Sequence, residues 1–198
     1  MHQITKFPYD VLVKFNQRGD GLVSTDMHKS ECSAPGPYPP IKVLARNPFY
    51  ASLLLDDFAG LVSELTAVTQ YSYNHFVTEE EEVGKLMECV SIVEMLHLEM
   101  LGEMIKLLGG DPKYVDSRGR FWTADYVYYA KEPYEILTSA IASEKEAIEQ
   151  YRRHQQLIGD PYIVNLLERI IKDEVRHIEL FVAALREMRS RNMGPQEG

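Results

Sequence analysis

Ile92-Val93-Glu94-Met95-Leu96-His97-Leu98-Glu99-Met100 sets a carboxylate and an imidazole three residues apart inside an apolar run. On an α-helix, residues i and i+3 are neighbours, so Glu94 and His97 share a face and reach one point in space, such as a metal ion. Chance alone supplies roughly 0.6 Glu-x-x-His pairs in a chain of this composition, so one pair is only a hypothesis. The weight comes from a second pair, Glu174-Val175-Arg176-His177, set 80 residues later in an equally apolar periodic segment.

A shift of 80 residues lays one stretch of the chain on another. Ser63, Glu64, Ala67, Gln70 and Tyr71 meet Ser143, Glu144, Ala147, Gln150 and Tyr151. Leu86, Glu88, Glu94, His97 and Glu99 meet Leu166, Glu168, Glu174, His177 and Glu179. Most of these identities are polar residues in apolar surroundings. Packing alone does not favour that, because a buried carboxylate is costly unless paired or bound to metal. Each half supplies a Glu, a Tyr two turns later, and a Glu-x-x-His thirty residues after the first Glu. Two such helix pairs predict a pseudo-two-fold four-helix bundle with Glu64, Glu94, His97, Glu144, Glu174 and His177 converging at its middle. Four carboxylates and two imidazoles balance two dications, and oxygen and nitrogen donors suit iron or manganese.

Composition narrows the class. The chain has 198 residues, 45% hydrophobic and 26% charged, which fits one soluble domain. A net charge of −9 and no basic block argue against nucleic acid and against an anionic membrane surface. No leader peptide and no run of about 18 apolar residues is visible. Cys32 and Cys89 offer neither a disulfide framework nor a four-cysteine metal site, and Cys89 reads as a small buried hydrophobe. A reducing, cytoplasmic setting is expected.

Along the chain, residues 1–46 read as an irregular arm, broken by Gly19, Gly21, Pro35, Gly36, Pro37, Pro39 and Pro40 around short apolar clusters such as Val11-Leu12-Val13. It is expected to wrap the core or a partner subunit. The bundle is expected over 47–190. Its first helix opens at Asn47-Pro48, a cap followed by proline, and runs to about Phe76 with Leu54, Phe58, Leu61, Leu65 and Val68 on the apolar face. Gly60 within it costs about 1 kcal/mol relative to Ala and marks a close approach or a kink. Thr78 and the run Glu79 to Glu82 open a second helix, which Gly109-Gly110-Asp111-Pro112 stops. The stretch from 111 to about 132 lacks a helical period and reads as a crossover running the length of the bundle. Pro133 opens the third helix and Gly159-Asp160-Pro161 the fourth, and residues 191–198 form a polar, frayed tail. His75 reads as a capping or surface histidine. Glu99 and Glu179 lie about 200° round the helix from the ligand histidines, on a solvated or inter-subunit face.

These residues resemble the ferritin-like dimetal carboxylate superfamily, and within it the rubrerythrin and manganese catalase branch. The resemblance rests on Ser63-Glu64-Leu65-Thr66-Ala67 through Tyr71, Val93-Glu94-Met95-Leu96-His97-Leu98-Glu99-Met100-Leu101-Gly102, Leu107-Leu108-Gly109-Gly110-Asp111-Pro112, Glu144 through Tyr151, and Asp173-Glu174-Val175-Arg176-His177. It implies an all-α, ferritin-like bundle and a cofactor of two divalent metal ions, iron or manganese. It casts Glu64 and Glu144 as terminal carboxylates, Glu94 and Glu174 as bridges with the catalytic role, and His97 and His177 as one nitrogen ligand per metal. Tyr71 and Tyr151 either orient the ligand carboxylates or pack the core. The implied function is redox chemistry on hydrogen peroxide or oxygen, of peroxidase or catalase type, in a homodimer or higher homo-oligomer. The alternatives are iron oxidation and storage, or a coat-type assembly protein that keeps the bundle. The chain departs from full rubrerythrins in lacking a four-cysteine iron site, so a peroxidase cycle needs a separate electron donor. It also carries Ile141 where many rubrerythrins have a movable Glu.

Overall fold

The computed structural model describes residues 31–192. The arm's first thirty residues, with Val11-Leu12-Val13, and the tail beyond 192 lie outside the described residues. Five helices follow one another: α1 (Pro48–Ala59), α2 (Glu64–Val77), α3 (Glu81–Leu107), α4 (Pro133–Leu157) and α5 (Pro161–Asn192). The bundle is formed by α2, α3, α4 and α5. Helix α2 packs on α3 and α4 on α5, and α1 extends the first pair along α3.

The single first helix expected over 47–76 is two helices. Its start is as read: the Asn47 side chain accepts a hydrogen bond from the Tyr50 amide at 3.1 Å, and Pro48 follows. The break comes at Gly60. A β-carbon there would lie 2.5 Å from the Asp56 carbonyl oxygen, so the bend closes only on glycine. Ser63 then caps α2, donating to the Gly60 carbonyl at 2.8 Å and accepting from the Thr66 amide. Leu61, expected on the apolar face, is 61% exposed as a result. The start of α3 also shifts, from Thr78 to Glu81, because the Thr78 amide still belongs to α2 through the Asn74 carbonyl.

Residues 108–132 cross over along α1 and α2. The Ser117 amide donates to Asp56, Trp122 Nε1 to Thr66 Oγ1 at 3.0 Å, and the Tyr128 amide to Gln70 Oε1 at 3.0 Å. Asn74 Nδ2 donates to the Ala130 carbonyl at 3.0 Å. These partners step along α2 in order, so the crossover runs the length of the helix it covers. It contains one antiparallel bridge, Val115 with Phe121, and a short 3-10 turn at Ala124–Tyr126.

The core is built in three layers. One apolar cluster holds Leu54, Leu101, Met104, Ile163, Leu166 and Ile170, and another holds Tyr71, Met87, Val90, Leu137 and Phe181. Along α3 and α5 the ligand-type residues Glu94, His97, Glu174 and His177 fall between these clusters. A polar layer is thereby closed off from water above and below.

The described part of the arm, residues 31–46, packs on its own bundle. Cys32 is bonded to Cys89 of α3, so neither cysteine is the isolated thiol expected, and Cys89 is not simply a buried hydrophobe. The arm has no periodicity from which its path follows. On the repeat, Cys89 corresponds to Arg169, whose guanidinium donates to the Ala34 carbonyl at 2.9 Å, so the two equivalent positions hold one strap. The bridge closes a sequence separation of 57 residues, a loop whose closure stabilises by about 2 to 4 kcal/mol. Reduction, or Cys32→Ser, is accordingly expected to lower the unfolding free energy by that amount, read from denaturant curves; identical oxidised and reduced unfolding curves would count against the strap.

Candidate metal centre

Helix α2 brings Glu64 in its first turn, α3 brings Glu94 and His97, α4 brings Glu144, and α5 brings Glu174 and His177. None of the six is more than 2% exposed. They fall into two quartets, Glu64, Glu94, His97 and Glu174, and Glu94, Glu144, Glu174 and His177, each with ligand atoms within 4.8 Å of one another. Glu94 and Glu174 belong to both.

Distances around the imidazoles show what the layer is shaped for. His97 Nδ1 lies 3.1 Å from Glu94, 3.3 Å from Glu174 and 3.6 Å from Glu64. His177 Nδ1 lies 2.9 Å from both Glu94 and Glu174 and 3.7 Å from Glu144. One ring nitrogen serves at most one acceptor by hydrogen bonding, and here carboxylates from three helices meet at each. His97 Nε2 sits 3.0 Å from Asp173, an acceptor that holds one ring proton there, so with a metal bound Nδ1 would be free to turn its lone pair to the ion. Four carboxylates and two imidazoles crowded in a dry layer fit cations between them. Glu94 Oε1, buried without a hydrogen bond, is consistent with that. The donor set fits two divalent ions.

Titration of the side chains alone shows the same frustration. Burial, followed by the charge of Glu94, pushes Glu64 and Glu144 well above the usual carboxylate range. Burial acts on Glu94 in the same direction, but the imidazoles of His177 and His97 outweigh it and lower its pKa. Burial would lower both histidines, and the surrounding carboxylates raise them instead.

The tyrosines cross between halves. Tyr71 donates to Glu144 Oε1 at 2.6 Å and Tyr151 donates to Glu64 Oε1, so each half of the repeat holds the terminal carboxylate of the other. His75 Nδ1 donates to the Gly84 carbonyl, 2.9 Å away, remote from the cluster. Glu99 and Glu179 are exposed.

Three features escaped the sequence reading. The first is Asp173, which receives hydrogen bonds from His97, from the Ala34 amide at 2.7 Å and from the Tyr38 hydroxyl at 2.8 Å, and pairs with Arg169 at 2.5 Å. Burial raises its pKa, but the hydrogen bond from His97 and the Arg169 and Tyr38 partners hold it at about 2. Its repeat mate is Val93, so His177 Nε2 has no equivalent partner. The second is the Asp57, His154 and Gln150 cluster between α1 and α4. The third is a cavity of about 190 Å³ that leads from Leu61 and Tyr128 to Glu64, Glu94, Glu144 and Glu174.

Residues 59–190 match the ferritin-like domain model. The chain belongs to the ferritin-like family. Within it, the chain is 28% identical over 171 residues to a probable manganese catalase of Clostridium acetobutylicum, covering 76% of each protein. It is 32% identical over 124 residues to a bacterioferritin of Desulfovibrio desulfuricans, covering 60% of this chain and 65% of that one. Among solved structures, KatB, a manganese catalase from Anabaena, superposes with a TM-score of 0.73 at 27% identity over 87% of this chain and 84% of that chain. The ferritin-like bundle with two metal-type quartets is thus similar to manganese catalases and to bacterioferritins alike.

Proposed function

We propose that this ferritin-like chain is a dinuclear manganese or iron oxidoreductase that consumes hydrogen peroxide, with dismutation as its reaction. The observation that supports this most is the sharing of Glu94 and Glu174 between two quartets, each completed by one histidine and one terminal Glu. Glu64 and His97 would hold one ion, Glu144 and His177 the other, and Glu94 and Glu174 both. Bound there, a redox-active pair supplies one-electron steps to an oxygen substrate.

The chain's own residues do the rest. Four carboxylates match the charge of two dications, and the apolar clusters on either side exclude bulk water, which strengthens every charge interaction inside. Tyr71 and Tyr151 fix the terminal carboxylates and keep a hydroxyl proton at hydrogen-bond reach of each. Dismutation oxidises one peroxide to dioxygen and reduces another to water, so it needs no outside electron donor. That suits a chain whose two cysteines are bonded to each other. Peroxide loss by the metal-loaded protein without added reductant is the expected result. Loss only with a reductant present would reassign it as a peroxidase with a separate donor, and no loss under either condition would overturn the reading.

Asp173 orients His97 through Nε2, where His177 has no such partner. Asp173→Asn is expected to weaken metal retention about 10- to 100-fold against a competing chelator, and unaltered retention would remove Asp173 from the account.

The likeness to a bacterioferritin keeps iron storage as a second reading, and storage requires a closed multi-subunit cage. We place the chain instead in a homodimer or small homo-oligomer, with exposed Ile92 and Met95 of α3 and Val175 of α5 as apolar contact residues. Sedimentation at cage size with a mineral core would reverse that choice. A cytoplasmic location, expected from two isolated cysteines, requires the Cys32–Cys89 bridge to persist in a reducing pool. Trapping thiols at the moment of lysis reads which state the chain holds. No helix of the described residues is long and apolar enough to cross a membrane.

A further inference from the structure

The cavity wall carries a donor that the metal-type residues do not use. Gln70 of α2 is 3% exposed and lines the cavity. Its Oε1 accepts from the Tyr128 amide at 3.0 Å. A backbone N–H can only donate, so that contact fixes the amide's orientation and leaves Nε2, with two hydrogens, on the other side. Nε2 is buried and makes no hydrogen bond to the protein.

The repeat shows that this is a divergence. Gln150 stands at the equivalent position 80 residues on, and its Nε2 is occupied by Asp57 Oδ1 and the Val62 carbonyl, each at 2.8 Å. Tyr71, Tyr151, Ser63 and Thr66, which also line the cavity, are spent on protein partners. A buried N–H left unsatisfied costs about 1 to 3 kcal/mol, so its place facing a space wide enough for several water-sized molecules calls for a partner there.

We infer that Gln70 is a specificity residue of the cavity, donating a hydrogen bond to a small oxygen- or nitrogen-lone-pair ligand on its way to the carboxylate layer. An amide is neutral and is not deprotonated, so it offers donors without altering the charge balance that the four carboxylates strike with two dications. Peroxide, which accepts and donates, fits it; a cation does not. This rests on the proposed peroxide reading for the identity of the substrate, but the binding step itself does not depend on turnover.

Azide, a small acceptor, is the probe, titrated calorimetrically into the manganese-loaded full chain. Gln70→Leu removes both ends of the amide. Gln70→Glu keeps an acceptor for the Tyr128 amide and removes the donor. Both are expected to weaken azide about tenfold while metal content holds, a loss of the order of one hydrogen bond, and only Gln70→Leu, which also frees the Tyr128 amide, is expected to lower the melting temperature. Wild-type affinity in either variant, or no azide binding by the wild-type holoprotein, overturns the inference: retention in Gln70→Glu alone assigns the effect to the crossover anchor, and retention in Gln70→Leu alone assigns it to charge. Gln70-dependent azide binding in a protein that leaves peroxide untouched would refute the proposed function and leave this inference standing.

Discussion

Replacing Glu94 and Glu174 together by alanine leaves each half-site with one carboxylate and one imidazole, and metal content is expected to fall from two ions per chain to none. Both shared carboxylates are lost to both quartets at once, which no other pair of substitutions does. Peroxide consumption falls with the metal. The melting temperature of the metal-free form is expected to change little, because the loss relieves the repulsion on Glu64 and Glu144 but takes from His97 and His177 the carboxylates they pair with. Elemental analysis, peroxide loss and thermal melting on the same preparations check all three. Wild-type turnover in the double variant would contradict the assignment of the site.

His154→Ala is expected to cost about 3 to 5 kcal/mol, because it strands a buried charge. Asp57 is fully buried on α1 and accepts from His154 Nδ1 and Gln150 Nε2, each at 2.8 Å. Burial lowers the His154 pKa, but the hydrogen bond to Asp57 outweighs it, and the group ends above its ordinary value. A histidine raised in the folded state contributes stability that is fully present below its unfolded pKa of about 6.5 and is lost as pH rises through the folded value. Asp57, raised mainly by burial, acts with the same sign from a lower pH. The cost of His154→Ala is therefore largest below about pH 6.5 and shrinks above it. Denaturant unfolding of both proteins across that range checks the sign, and a cost that grows with pH would be the wrong one.

What the residues disclosed, and what they hid, follows from the duplication. Glu64, Glu94, His97, Glu144, Glu174 and His177 were legible because each is polar, repeated, and set in an apolar helical pattern where packing has no use for it. Tyr71 and Tyr151 were legible as a pair, though not their crossing, since a repeat gives equivalence without saying which half each side chain serves. Features that break the repeat were hidden by the same logic. Asp173 has Val93 as its mate, Arg169 has Cys89, and Gln150 is tied where Gln70 is open. The arm has no period at all, so the Cys32–Cys89 bond could not be foreseen from spacing. The break between α1 and α2 was hidden because apolar residues kept helical spacing across Gly60. What ends α1 is the turn closed by Ser63 and Thr66 on the Gly60 carbonyl, a local competition that the spacing does not register.

The layered core also explains why the site sits where it does. Helices α3 and α5 run apolar, polar, apolar, so the four carboxylates are placed midway along the bundle and far from solvent except through the cavity beside Gln70. A cluster of that kind is unfavourable in itself, and the ions it is shaped for are what make it stable.

The most direct test is elemental analysis of the chain purified in its native state without added metal. Two ions of manganese or iron per chain are expected. A chain that comes out folded and free of both would contradict the central claim.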